Sequence, residues 1–163
     1  MQAESLLLIY NYNTMDWQQI TEIEVSYRTT ISSSERPRIT DSQDAYKLLL
    51  QSWDQNKIEL IEQFKVLFLN RDNKVLGVYD VSSGGLTDIL VDPRLIFAAA
   101  LKANAVSIIL AHNHPSGNVK PSRADKDLTA KIKQAGEILA IDVIDHVIIT
   151  KESFLSLADE GLL

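Results

Sequence analysis

Two stretches limit what this chain can fold into more than any others: FKVLFLN, residues 64–70, and VSIILA, residues 106–111. Each is apolar at nearly every position. A half-buried strand alternates apolar and polar residues, and these runs do not alternate. Strands covered on both faces belong to sheets packed between helices. The rest of the sequence supplies those helices. Ala45, Leu48, Leu49 and Trp53 recur at helical spacing from about Ser42, behind a Thr40-Asp41-Ser42 run that offers N-caps. Asp92-Pro93 opens a second helix that ends near Asn104, with Pro93 at the first helical position, where its missing N–H costs little. A third runs from Arg123 to about Ile138.

Further strands are expected between these helices. VLGVYDV, residues 75–81, returns from FKVLFLN through the turn RDNK. DILV, residues 88–91, follows the flexible SSGG loop, and DVIDHVIIT holds the last strand. Upstream, Ile23, Val25 and Tyr27 alternate with polar residues over 20–28, as in a half-buried strand. Residues 1–18 fit either a strand or a helix, and SSSERPR, residues 32–38, reads as a linker. The order β-α-ββ-β-α-β-α-β points to an α/β or α+β sandwich with a mixed sheet. Residues 1–40 are then an N-terminal extension and residues 41–163 the folded domain. No internal repeat is present.

Composition narrows the function. With 163 residues, 45% of them apolar, the chain can bury a real core. Its net charge of −6 disfavours a general phosphate-binding surface, so direct nucleic-acid binding is not expected. There is no cysteine. Disulfides, thiolate metal sites and a cysteine nucleophile are therefore excluded, and any metal must be held by His, Asp or Glu. MQAESLLLIY lacks the basic region of a signal peptide and the length of a membrane span, so a cytoplasmic protein without a membrane partner is expected.

The chemistry concentrates in AHNHPSGNVKPSRAD, residues 111–125. His112 and His114 share a face because strand side chains alternate. They stand where an apolar strand leaves the sheet, the edge that ligands favour in α/β proteins. Pro115-Ser116-Gly117 turns the chain at once, so that Ser122 can come back over the histidines. Ser122-Arg123-Ala124-Asp125 resembles a capping box with Asp in the Glu/Gln position, and capping alone would account for it. Paired histidines alone are also a weak signal. Together, two imidazoles and one carboxylate give three ligands and leave a fourth position for water, the arrangement of a catalytic zinc. Such a water needs a proton acceptor, and Glu62 or Glu59, just ahead of the central strand, could provide it. Two histidines and a carboxylate also describe non-haem iron oxygenases, but the helix-rich pattern argues against those. A zinc nucleobase deaminase needs cysteines that this chain lacks.

At these residues the chain resembles a known family. His112-x-His114-Pro115 followed by Ser122-x-x-Asp125 matches the JAMM motif of JAB/MPN metalloproteases. LAHNHPSGN with PSRAD looks more closely like the bacterial RadC family. EQFKVLFLNRDNKVLG, VDPRLIFAAALKANA, DVIDHVII and FLSLADEGLL extend the likeness over roughly residues 40–163. The resemblance implies an α/β/α sandwich of the cytidine deaminase-like (JAB/MPN) kind. It implies zinc held by His112, His114 and Asp125. It selects Glu62 over Glu59 as the residue that takes a proton from water and delivers it to the leaving amine, and it gives Ser122 a share in stabilising the oxyanion. The implied partner is a peptide or isopeptide (protein) substrate. Two departures stand out. Asn113 lies between the histidines, where eukaryotic JAMM enzymes favour Ser or Thr, although RadC-like proteins share the Asn. Residues 1–40 show no Gly-rich helix-hairpin-helix of the kind that longer RadC proteins carry, and little here supports a role in DNA repair. Some MPN domains have lost their ligands and act as non-catalytic interaction modules; the intact set in this chain argues against that course.

Other residues have plainer expectations. His146, alternating with Ile144 and Ile148, reads as a histidine buried in the sheet and satisfied by a hydrogen bond, ahead of a role behind the zinc. Asp145 has no role that spacing reveals. Asp127 is expected to be solvated. Gly84 and Gly85 fit a tight turn before a mobile flap. The N-terminal strand could close its own sheet or pair with a second copy of the chain.

Overall fold

A computed structural model describes residue 29, residues 31–84 and residues 91–163. In chain order the elements are helix α1 (Ser42–Ser52), strands β1 (Gln63–Leu69) and β2 (Val75–Ser83), helix α2 (Pro93–Lys102), strand β3 (Ser107–Asn113), helix α3 (Arg123–Leu139), strand β4 (Asp142–Ile149) and strand β5 (Phe154–Ser156). The strands form one sheet in the order β2-β1-β3-β4-β5. β1 runs antiparallel to both β2 and β3, β3 and β4 are parallel, and β5 returns antiparallel on β4. The sheet is therefore mixed, with α3 making the crossover that a parallel pair requires. The strand expected over 20–28 and the segment 1–18 lie outside the described residues, as do residues 88–90 of DILV. Val91 is described and is buried but not in a strand.

β1 and β3 are buried along their whole length. One face of the sheet carries Leu67, Leu69, Ile109, Ala111, Val147 and Ile149 against Ala45 and Leu49 of α1 and Trp53. The other carries Phe64, Val66, Ile108 and Leu110 against Ile96 and Phe97 of α2 and Ile132 of α3. This is the α/β/α sandwich, and each large side chain fully buried in it stabilises the fold by roughly 1.5–3 kcal/mol. Lys65 interrupts the apolar run of β1. It pairs with Asp80, approaches the Ser52 carbonyl at 3.3 Å and lies 5.1 Å from the centre of the Trp53 ring. Its stem is buried while its charge finds partners at the sheet margin.

The helix ends follow their capping residues. The Asp41 side chain accepts from the Asp44 N–H at 2.8 Å, and Asp92 accepts from the Arg94 N–H at 2.9 Å. At the far end of α3, Gly136 lets the two-residue connection Ala140–Ile141 fold closely back on the helix, the Ile141 N–H donating to the Gly136 carbonyl at 2.9 Å. A Cβ there would collide with the Ile141 carbonyl oxygen and touch the Phe97 ring.

β4 departs from simple alternation. Ile108 pairs with Val143 and Ile109 with Asp145, so Ile144 is an extra residue in the ladder and is 37% exposed. This bulge resets the faces. His146 shares its side of the sheet with Ile148, as expected, but not with Ile144. The chain also does not end its sheet with β4. Thr150 and Ser153 close a turn, with the Thr150 N–H donating to the Ser153 carbonyl at 2.8 Å, and β5 follows. The buried Asp145 carboxylate ties this return in place. It accepts from the His146 N–H at 2.7 Å, the Ser156 hydroxyl at 2.7 Å and the Ala158 N–H at 3.1 Å. Burial nevertheless pushes its pKa above the ordinary carboxylate value. Among the described residues no helix is long and apolar enough to cross a membrane.

Candidate metal centre

The site forms where β3 leaves the sheet. His112 lies near the end of β3, on the face covered by α2 and α3, and His114 follows just past the strand. The His114 N–H donates to the Ile149 carbonyl at 3.0 Å, and the Gly117 N–H donates to the His114 carbonyl at 3.1 Å. Gly117 takes φ 78°, a left-handed value that glycine adopts without steric cost. The chain then comes back over the histidines at Ser122.

Ser122 caps α3. Its hydroxyl oxygen accepts from the Asp125 N–H at 3.1 Å, and Asp125 Oδ2 accepts from the Ser122 N–H at 2.7 Å. The capping box is therefore real, with Asp as its acidic member. It also fixes the carboxylate so that Oδ1 faces His112. Asp125 Oδ1 lies 3.3 Å from His112 Nε2, and Oδ2 lies 3.8 Å from His114 Nε2. The two Nε2 atoms are 3.0 Å apart. One ligand atom from each residue falls within 4.8 Å of the others, so the cluster could hold a metal ion. The pKa of Asp125 reflects its neighbours. Burial pushes it up, but the hydrogen bond and charge of His112 and the Ser122 donors outweigh that and hold it well below the ordinary carboxylate range.

The spacing suits a small divalent ion. Ligand bonds of 2.0–2.1 Å in a tetrahedron set ligand atoms roughly 3.3 Å apart. The two shorter separations here, 3.0 and 3.3 Å, are close to that. The outward nitrogens are occupied. His114 Nδ1 lies 2.5 Å from the Asn118 carbonyl, which can only accept, so Nδ1 carries the proton and Nε2 presents a lone pair. His112 Nδ1 lies 2.8 Å from Nε2 of His146.

His146 is thus more than a satisfied core histidine. It is fully buried and in direct contact with His112, and its other nitrogen, Nδ1, lies 2.6 Å from the Thr129 hydroxyl. Burial, with His112 adding to it, holds its imidazole well below the ordinary value. Thr129 escaped the sequence reading, although it stands four residues after Asp125 on α3 and so on the same helix face.

Glu62 ends the loop before β1, and its carbonyl accepts from the Gly84 N–H at 3.2 Å. Phe64 pairs with His112 at the end of the β1–β3 ladder, so Glu62 stands two residues beyond the same sheet edge at which His114 leaves β3. Glu59, the alternative, is exposed and pairs with Lys151 at 3.2 Å. Asp127 is exposed as expected and lies 3.6 Å from Arg123. Gly84 adopts φ 119°, a backbone value that favours glycine, and the rest of the expected turn, from Gly85 on, lies outside the described residues.

Asn113 has a place that the sequence reading did not assign. It points to the face opposite the histidines and is fully buried. Its Oδ1 accepts from the Gln63 N–H at 2.7 Å, and its Nδ2 donates to the carbonyls of Ile58 at 2.7 Å and Ile61 at 2.9 Å. One side chain therefore clamps the loop on both sides of Glu62.

A mixed sheet between two helical layers, with two histidines at a strand end and a carboxylate on the next helix, defines a JAB-type α/β domain. The RadC-like JAB domain family matches residues 39–162, and this chain belongs to it. Its relatives include a UPF0758 protein of Flavobacterium johnsoniae, 45% identical over 125 residues that make up 77% of this chain and 53% of the relative. A UPF0758 protein of Clostridium beijerinckii is 38% identical over 144 residues, 88% of this chain and 62% of the relative. Another, of Chlorobaculum parvum, is 40% identical over 142 residues, 86% and 62% of the two chains. The aligned part thus spans between 53% and 62% of these relatives' length.

Proposed function

We propose that this protein is a zinc-dependent hydrolase of peptide or isopeptide bonds. His112, His114 and Asp125 would hold the metal, Glu62 would move the proton and Ser122 would support the oxyanion. The observation that carries this reading is the convergence of two Nε2 atoms and a carboxylate oxygen at 3.0 and 3.3 Å, with both Nδ1 atoms engaged elsewhere. Electron-pair donors so close repel one another unless a metal ion or a proton lies among them. Two imidazoles and a carboxylate suit zinc and leave a position open. Zinc held there supplies Lewis acidity and brings the ionisation of water into the range of about pH 7.

The protein's own groups complete the chemistry. Glu62, a carboxylate two residues before the Phe64–His112 pair at this edge of the sheet, accepts the proton of the attacking water and returns it to the leaving amine. The Ser122 oxygen already accepts from the Asp125 N–H, so its own proton remains to donate to the carbonyl oxygen of a substrate. Capping and oxyanion support are compatible uses of one hydroxyl.

Zinc-loaded protein assayed against fluorogenic peptides and isopeptide-linked substrates tests this. Glu62→Ala is expected to keep its zinc and lose about 10²–10⁴ of the rate. Ser122→Ala is expected to lose on the order of 10² or more. If the zinc-loaded wild type cleaves nothing, or Glu62→Ala turns over like wild type, the hydrolase reading fails and a non-catalytic interaction module replaces it.

A further inference from the structure

We infer that Thr129, through His146, fixes the tautomer in which His112 offers Nε2 to the metal. The inference rests on the metal-site reading above. It follows from donor and acceptor counts along one chain of contacts. The Thr129 hydroxyl lies 2.5 Å from the backbone carbonyl of Asp125. A carbonyl only accepts, so the single hydroxyl proton is committed there. The same oxygen lies 2.6 Å from His146 Nδ1. With its proton used, it can only accept, and His146 must carry a proton on Nδ1.

His146 is completely buried and meets a hydroxyl and another imidazole at its ring nitrogens, with no carboxylate on either. A neutral ring is the form such surroundings favour. Its Nε2 is then a bare acceptor, 2.8 Å from His112 Nδ1. His112 must therefore donate from Nδ1, which leaves Nε2 for the metal. Edge contact between the Phe64 and His146 rings, with centroids 5.6 Å apart, and stacking of Phe64 on His112 at 6.2 Å hold both rings in these orientations. The starting point of the chain is the Asp125 carbonyl, so the residue whose carboxylate joins the site also anchors the wiring of its neighbour. Thr129 and His146 are positioning residues that act through His112.

Removing the hydroxyl reverses the chain. In Thr129→Val, Nδ1–H of His146 loses its acceptor. The ring then does better with its proton on Nε2, donating to His112 Nδ1, and that drives the His112 proton onto the nitrogen that the metal needs. Thr129→Ser keeps the hydroxyl and should keep the wiring.

The test is long-range ¹H–¹⁵N correlation of the histidine rings in metal-free protein, paired with zinc affinity by chelator competition. The chain has only 3 histidines, so assignment is direct. Wild type and Thr129→Ser should show His146 protonated at Nδ1. Thr129→Val should show the proton on Nε2 and bind zinc about 10- to 100-fold more weakly. Should Thr129→Val misfold, the wild-type and Thr129→Ser spectra still decide. A wild-type His146 proton on Nε2 overturns the inference whatever the metal does. So does a folded Thr129→Val that binds zinc as tightly as wild type. A wild type that binds no zinc fails differently: it overturns the metal reading on which the inference stands.

Discussion

Asn113 offers the sharpest test of how the site is built. Its side chain makes three hydrogen bonds to backbone groups of the loop before β1, all in buried or partly buried surroundings. Asn113→Ala removes the acceptor for the Gln63 N–H and the donor for the Ile58 and Ile61 carbonyls. A buried hydrogen bond contributes about 1 kcal/mol net, so the loss is about 3 kcal/mol, more if the groups left behind stay dry. A domain of this size is stable by roughly 5–15 kcal/mol, so the variant should still fold. With a urea slope of about 2 kcal/mol/M, the midpoint should fall by about 1.5 M. Fluorescence of Trp53, which is buried among the α1-side core residues, reports the transition. Hydrogen exchange at the Gln63 amide should rise well beyond the global change. Asn113→Asp separates hydrogen bonding from volume. It keeps an acceptor for Gln63 but turns lone pairs toward two carbonyls, so it should be at least as damaging as Ala. A midpoint shift in Asn113→Ala below about 0.3 M, or an Asn113→Asp protein as stable as wild type, would refute the clamp.

Two further expectations follow from the packing and the charges. Gly136→Ala should destabilise by about 1–3 kcal/mol in thermal or urea unfolding, because the clash with the Ile141 carbonyl outweighs the better helix propensity of alanine; a stabilised variant would show that β4 can move away from α3. The folded-state pKa of Asp125 lies below its ordinary value of 3.8, so its ionisation contributes stability that is complete above that value and is lost as pH falls below it. Metal-free wild type and Asp125→Asn, unfolded in urea across that range, should converge in stability toward acid, and a difference that stays constant with pH would contradict the geometry.

Much of the layered fold was legible because its strongest signals are local. β1 and β3 are central strands, so their apolar runs announce burial on both faces without reference to the rest of the chain. Asp41, Asp92-Pro93 and Ser122 mark helix starts through chemistry confined to one turn. The His112, His114 and Asp125 cluster was legible for a related reason: strand alternation sets the two histidines, and a tight turn with a helix cap sets the carboxylate. What remained hidden depends on tertiary contact. β5 is three residues long, too short for a period to show. The bulge at Ile144 alters which residues share a face with His146, and no alternation rule reveals it from sequence. The contact of His146 with His112 spans two strands. Asn113 looked like a family variation between two ligands, whereas its partners lie some fifty positions earlier, on the other side of the sheet from the histidines.

The most direct test of the central claim is zinc content by native mass spectrometry, in wild type beside His112→Ala and Asp125→Ala. The account predicts about one zinc per wild-type chain and none in either folded variant. A folded wild type that takes up no zinc when it is supplied would contradict it, and the contacts around Asp125 would then be a helix cap beside two histidines.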